Sequence, residues 1–448
     1  MAGVNFLKPL VCITCALGFI GFISISSATE YFTGEPLAIF EAENSRSVLE
    51  SSTNDVYPWA LIERHKDKHP RFPREAFHSK LEQFYPQTVK ALGSKSPHSS
   101  VFALYAAPSY LTARHPNPVL LIHGANDDAT RRYAHPKSTY AEDHTQSTGL
   151  MQHLAGAGFS VFAISFSHYH GDNIFQGEQI ANAITRIRQL LGKESDSGFQ
   201  VDLVTFSKGA MAARAYVQSA GQEYGMKFIT PYRGDVRRIV FQCGPLGGLD
   251  TPFRYYMYNL SIASNKIPAP MGASSMLLYG LWKDMGENHI HSGFWPGQLQ
   301  MIHDQRLLGV KDGVLSMTTD MNHSAKILRE GGTSLFLQSD GLEKARIAGG
   351  RMIEMLNRKG LPSSVSAVIV AGTHHVIYDE RYENWKIPIG AELAAPSDGL
   401  LYLASATHTE GLTAQGAKIQ AVKEFPLNHI DLSRNQEVFD FVVSELKK

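Results

Sequence analysis

The sequence predicts a three-layer α/β domain built on a mostly parallel central sheet. Three observations carry that expectation. Seven short apolar runs recur along the chain: SVFALYAA (100–107), PVLLIHG (118–124), FSVFAISF (159–166), VDLVTF (201–206), RRIVFQCG (237–244), SSVSAVIVAG (363–372) and LLYLASA (400–406). They are continuous rather than alternating, which is the pattern of strands buried on both faces of a parallel sheet. Helical stretches separate them, at 147–156, 177–191 and 211–220, giving the strand-helix alternation of a sheet covered on both sides.

From the N-terminus onward, the first segment reads as an export signal. Lys8 is the only charge before an apolar run from Pro9 to about Ile25, and Ser26-Ser27-Ala28 supplies small residues for cleavage after Ala28. The run is shorter than the roughly 20 apolar residues of a membrane-spanning helix, so residues 1–28 read as a signal peptide rather than an anchor. Cys12 and Cys15 lie inside it, and its removal leaves Cys243 alone. An exported chain without an internal disulfide suits a bacterial periplasmic or secreted protein, where the N-x-S sequons at Asn259 and Asn322 carry no weight. Residues 29–99 read as an N-terminal helical extension, because PREAFHSKLEQFYPQTVKALGS within them has the pattern of one or two amphipathic helices. The catalytic domain is expected over 100–448. It is interrupted at about 250–335 by a long insertion rich in Met, Tyr, Trp and Gly, a lid or an inserted subdomain.

Composition narrows the function. The chain has 448 residues, 43% hydrophobic and 19% charged, enough to bury a large core. Forty-two basic residues balance 42 acidic ones without any Lys/Arg block, which argues against nucleic acid as a partner.

The chemistry starts at VDLVTFSKGAMAARAYV (201–217), an apolar run, a turn through Ser207-Lys208-Gly209 and a small-residue helix. A serine at the apex of a strained strand-to-helix turn has its oxygen exposed, with the N–H groups of the new helix aimed at any oxyanion formed beside it. The usual pattern is G-x-S-x-G. Here Thr205 replaces the first glycine while Gly209 and Ala210 supply the small residues on the helix side. An ordinary strand-turn-helix serine fits the same letters. Upstream, NPVLLIHGANDDAT (117–130) ends a buried strand at His123-Gly124, from which a loop N–H can complete an oxyanion hole. That assigns the two donors to the N–H groups of Ala125 and Lys208. A simple glycine turn is the competing reading.

The set VLLIHG, VDLVTFSKGA, PLGGLD (245–250), PSDGLLYLASA (396–406) and PLNHIDL (426–432) resembles the α/β-hydrolase fold, and most closely its secreted bacterial lipases and esterases, over about residues 100–448. Departures are Thr205 and Phe206, the latter where many such lipases have histidine. The resemblance implies a Ser, Asp, His triad in chain order. Asp398, in Ser397-Asp398-Gly399, then orients His429 in PLNHIDLS, and His429 takes the proton of Ser207. Asp379 is the competing acid, and His374 and His375 are competing bases. An Asp-Gly pair is also a favoured turn, so Asp398 has a purely structural reading as well.

These roles describe an ester hydrolase working through an acyl-enzyme on Ser207 without a cofactor. Its partner is an ester or lipid substrate. The insertion, with Met271, Met276, Trp282, Met285, Phe294, Trp295 and Met301, reads either as an apolar flap that meets a lipid surface or as packing within the subdomain. An acyltransferase with the same triad and a non-catalytic binding protein on the same scaffold are the alternatives. His289 with His291, and HYHGD (168–172), could ligate a metal in principle, but neither has the full spacing of a zinc site, so no metal is expected.

Overall fold

The computed structural model describes residues 31–41, 58–77, 85–136, 148–254, 295–311, 326–327, 329–333, 338–339, 341–378, 388–391 and 394–448. Its centre is a nine-stranded sheet made of β1 (Ala38–Glu41), β2 (Leu61–Lys66), β3 (Val101–Ala106), β4 (Val119–Ile122), β5 (Val161–Phe166), β6 (Val201–Phe206), β7 (Val236–Gln242), β8 (Ser366–Gly372) and β9 (Lys418–Phe425). In space the order is β1-β2-β3-β5-β4-β6-β7-β8-β9. The pairs from β5 through β9 are parallel, and β1, β2 and β3 are added antiparallel at the other edge.

Strand side chains alternate between two helical layers. Leu120 and Ile122 of β4 face a cluster with Ile180, Ile184, Ala212 and Tyr216, which belong to the helices α3 (Asn173–Leu190) and α4 (Gly209–Val217). Val119 and Leu121 face the other cluster, with Leu150 and Leu154 of α2 (Leu150–Gly156) and Val438, Phe439 and Val442 of α5 (Gln436–Leu446). Burial on both faces is why these strands carry no polar alternation, each large apolar side chain contributing roughly 1.5–3 kcal/mol. A helix, α1 (Pro86–Leu92), precedes β3; proline opens it, and Gly93, at φ 78°, closes it in the left-handed conformation.

Three expectations need correction. The described residues of 29–99 do not form a helical extension. They supply β1 and β2, and only Pro86–Leu92 is helical among the described residues, so the sheet begins well before residue 100. The stretch 400–406 is not a strand: Leu403–Ala406 forms one helical turn, because the N–H groups of Leu400 and Leu401 are taken by Asp398 Oδ1 instead of a neighbouring strand. The last strand is β9, which no apolar run announced, since its KIQAVKEF is largely exposed at the sheet edge. Most of the insertion, including Met271, Met276, Trp282, Met285, His289, His291 and Phe294, lies outside the described residues, as does residues 1–28. Trp295 and Met301 are described and buried. They pack with Phe72, Phe175, Met211 and Leu356 as core, which is the packing reading for these two.

Candidate active site

Ser207 follows β6 with φ 50°, a conformation that L-residues rarely adopt and that the surrounding structure must hold in place. Its N–H donates to Gln242 O at 2.9 Å, tying the turn to β7. The turn closes only on small neighbours. A Cβ at Gly209 would lie 2.6 Å from both Ile122 O and His123 O, and one at Gly124 would lie 2.9 Å from Ser207 Cβ. The Gly124-Ala125 loop therefore rests directly on the serine. Lys208 is the N-cap of α4, and among the described residues the N–H groups of Ala125 and Lys208 have no hydrogen-bond partner. His123 pins this loop from beneath. Its Nδ1 pairs with Gly124 O at 2.8 Å, Phe166 N donates to its Nε2, and burial pushes its pKa down to about 4, so it is a neutral structural imidazole.

Across from the serine, Asp398 and His429 form a buried pair, with Nδ1 to Oδ2 at 2.7 Å. Asp398 Oδ1 accepts from Leu400 N and Leu401 N at 3.0 and 2.8 Å, so the carboxylate is fixed on both oxygens. The loops are also joined through backbone, since His429 N donates to Asp398 O. Burial works against a charge on His429, yet the Asp398 carboxylate beside it holds its pKa above the ordinary histidine value. Close approach is again built in by glycine: a Cβ at Gly372, the last residue of β8, would lie 2.9 Å from Asp398 Cβ.

The structure thus places Ser207, Asp398, His429, Ala125 and Lys208 at the C-terminal ends of β4, β6, β8 and β9. The competing bases His374 and His375 are exposed, and Asp379 lies outside the described residues. Residues 116–240 match the family model described as Lipase (class 2), a span that runs from the strand before the oxyanion loop through the serine turn into β7. Over that span the chain is similar to class 2 lipases, and its sheet covered by helices on both faces is of the α/β class.

Among solved structures, the chain is similar to the mature lipase BlEst2 of Bacillus licheniformis, at 14% identity and a TM-score of 0.37, covering 75% of this chain and 95% of that one. It is also similar to a thermostable carboxyl esterase of Bacillus coagulans, at 12% identity and a TM-score of 0.36, covering 78% and 94%. No curated protein matches the chain.

Two neighbours of the candidate site were not singled out from sequence. Cys243 directly follows β7 with φ 41°, is fully buried, and places Sγ 3.9 Å from His429 Nε2. The signal was available only through register, because Phe206 pairs with Gln242 and so the next residues, Ser207 and Cys243, stand side by side. Sγ, the His429 ring and the Asp398 carboxylate lie within 4.8 Å of one another. Both carboxylate oxygens are already committed, so the group reads as an oriented imidazole, not a metal cage. Arg132 is the other neighbour. Its guanidinium stacks 3.9 Å from the centroid of the Phe206 ring, whose edge in turn meets the His429 ring at 5.2 Å, and it is held by Asp127 and Ser433. Phe206, which departs from the lipase pattern, is thereby clamped between a cation and the imidazole.

The Lys208 side chain is buried and donates to Gln176 Oε1 on α3 at 2.5 Å, while burial pushes its pKa down to about 7 against the pull of Glu75 and Asp172. HYHGD is structural as well. His168 and His170 are buried with lowered pKa values, and Asp172 caps α3 by accepting from Ile174 N at 2.7 Å.

Proposed function

We propose that the chain is an exported serine hydrolase of carboxylic esters, working through an acyl-enzyme on Ser207. The lipase family match and the hydrolase fold support ester hydrolysis in general. What carries the finer reading is a serine at φ 50° beside Phe206 and Cys243, both of which meet the imidazole of a buried carboxylate-imidazole pair. In this mechanism His429 Nε2 takes the Ser207 Oγ proton as the oxygen attacks the ester carbonyl. The oxyanion is held by Ala125 N–H and Lys208 N–H. Asp398 keeps Nδ1 protonated and stabilises the imidazolium, which then protonates the departing alcohol. Water, activated by the same histidine, releases the acid and restores Ser207. Ser207 is half-buried, so its side chain keeps contact with solvent, and acyl esters of lipids are the class we favour. Residues 1–28 fit export to the periplasm or the medium.

The test is a p-nitrophenyl ester series from acetyl to palmitoyl, run on the mature chain and on Ser207→Ala. Hydrolysis that disappears in the variant supports the reading, and the chain-length optimum separates esterase from lipase. Equal activity of the two proteins would overturn it. Labelling by a fluorophosphonate probe distinguishes an active serine from a binding protein on the same scaffold.

A further inference from the structure

The triad has one unsettled end. Asp398 fixes the Nδ1 side of His429, leaving Nε2 to choose between two side chains that end adjacent strands. Both Ser207 and Cys243 are held at positive φ, 50° and 41°. In this structure Nε2 faces Cys243 Sγ at 3.9 Å, and Ser207 Oγ has no hydrogen-bond partner among the described residues.

We propose that Cys243 is a positioning residue for His429, a weak seat that holds Nε2 in the resting enzyme without outcompeting Ser207. This rests on the ester-hydrolase reading and adds to it a reason for sulfur at this position. A thiol is a poor donor and a poor acceptor, and its long bonds fill space against the ring from 3.9 Å. A hydroxyl in the same place would form a full O–H to Nε2 bond and hold the imidazole away from the nucleophile. Nucleophilic use of the thiol itself is disfavoured, because Cys243 is fully buried and burial pushes its pKa up, keeping it neutral. The other groups around the ring leave its Nε2 edge to the thiol. Asp398 is on Nδ1, Arg132 stands behind the Phe206 ring, and Asp431, on the same loop, is bonded to Asn428 with His374 near it.

The experiment compares Cys243→Ser and Cys243→Ala with the parent on p-nitrophenyl esters, reading kcat and KM separately, with Tm as a check on folding. Both replacements are small and unbranched, so positive φ costs them no more than it costs cysteine. A hydrogen bond of ordinary net strength corresponds to about tenfold in rate, so Cys243→Ser is expected to lose about tenfold in kcat at unchanged KM. Cys243→Ala, which offers Nε2 no partner, is expected to lose less. Purely structural packing gives the reverse ranking, because serine is nearer to cysteine in size and polarity, and that result would overturn the proposal. The 15N signals of His429 are recorded in a Ser207→Ala background, where catalysis is irrelevant. The serine variant should move Nε2 toward its hydrogen-bonded position and the alanine variant toward the free one. Identical signals in all three would overturn the proposal even if no ester were hydrolysed, whereas a wild type inert on every ester with the expected shifts would sink the ester reading alone.

Discussion

Asp398 is the residue whose removal should separate orientation from packing. Asp398→Asn keeps the shape but replaces one acceptor oxygen with a donor, so the ring of His429 loses the partner that fixes its tautomer. The expected result is a fall in kcat on the order of 10² to 10⁴ with a nearly unchanged KM, read from steady-state ester hydrolysis. A loss of less than about threefold would show that the 2.7 Å contact is decorative. The same contact predicts a pH profile. A general base must be neutral in the free enzyme, and Asp398 raises the His429 pKa, so the acid limb of kcat/KM should lie above the ordinary histidine value of about 6.5. In Asp398→Asn the residual activity should have its limb moved toward lower pH. At this scale the sequence was informative where chemistry demands a fixed neighbour: a serine turn needs Gly209, and an acid loop needs the turn at Asp398-Gly399. Cys243 and Arg132 were hidden because each reaches His429 across the sheet, Cys243 through the register of β6 with β7 and Arg132 through the ring of Phe206.

Among the elements, legibility followed burial. Strands β3 to β8 are covered on both faces and stand out as apolar runs. At the two edges, β1 and β9 face water, and their pairing is written in backbone hydrogen bonds that leave little trace in side-chain type. β2 escaped notice for a different reason. Its LIERHK is charged yet largely buried, with Glu63 held by Arg186 at 2.7 and 2.8 Å and by His65 at 2.9 Å. This internal ion pair makes the N-terminal strands part of the domain. A chain beginning at residue 100 would present β3, a fully buried strand of VFALYA, as a bare edge. It should be recovered as aggregate where the chain beginning at residue 29 is soluble, a difference that size-exclusion chromatography resolves. A soluble, cooperatively melting shortened chain would restore the original boundary. Within the full chain, Glu63→Gln should lower stability by about 1–3 kcal/mol in a denaturant titration, since it weakens a charge-assisted pair whose Arg186 partner is only partly exposed.

Across the whole molecule the formal charge cancels, 42 against 42, so the pH dependence of folding is governed by individual buried groups and not by a net field. Two such groups oppose each other near the site. Lys208 has its folded pKa pushed down to about 7 from 10.5, so between those values the unfolded chain binds more protons and stability rises with pH. His429 is shifted the other way, from 6.5 upward. Its contribution is full below 6.5 and is lost as pH climbs through the folded value. Their windows overlap in the alkaline range, and the wild-type stability curve is flattened there. Lys208→Met removes one side of the balance while keeping the backbone N–H assigned to the oxyanion hole. Relative to wild type, the variant should gain most in Tm at or below about pH 7, where the buried ammonium is charged at greatest cost. The advantage should shrink steadily as pH rises, vanishing above 10.5, where the lysine is neutral in both states. Calorimetric Tm values at pH 6, 8 and 10 measure the trend. A difference that stays constant with pH would mean that Lys208 keeps its ordinary pKa in the folded chain, and the burial assigned to its ammonium beside Gln176 would be wrong.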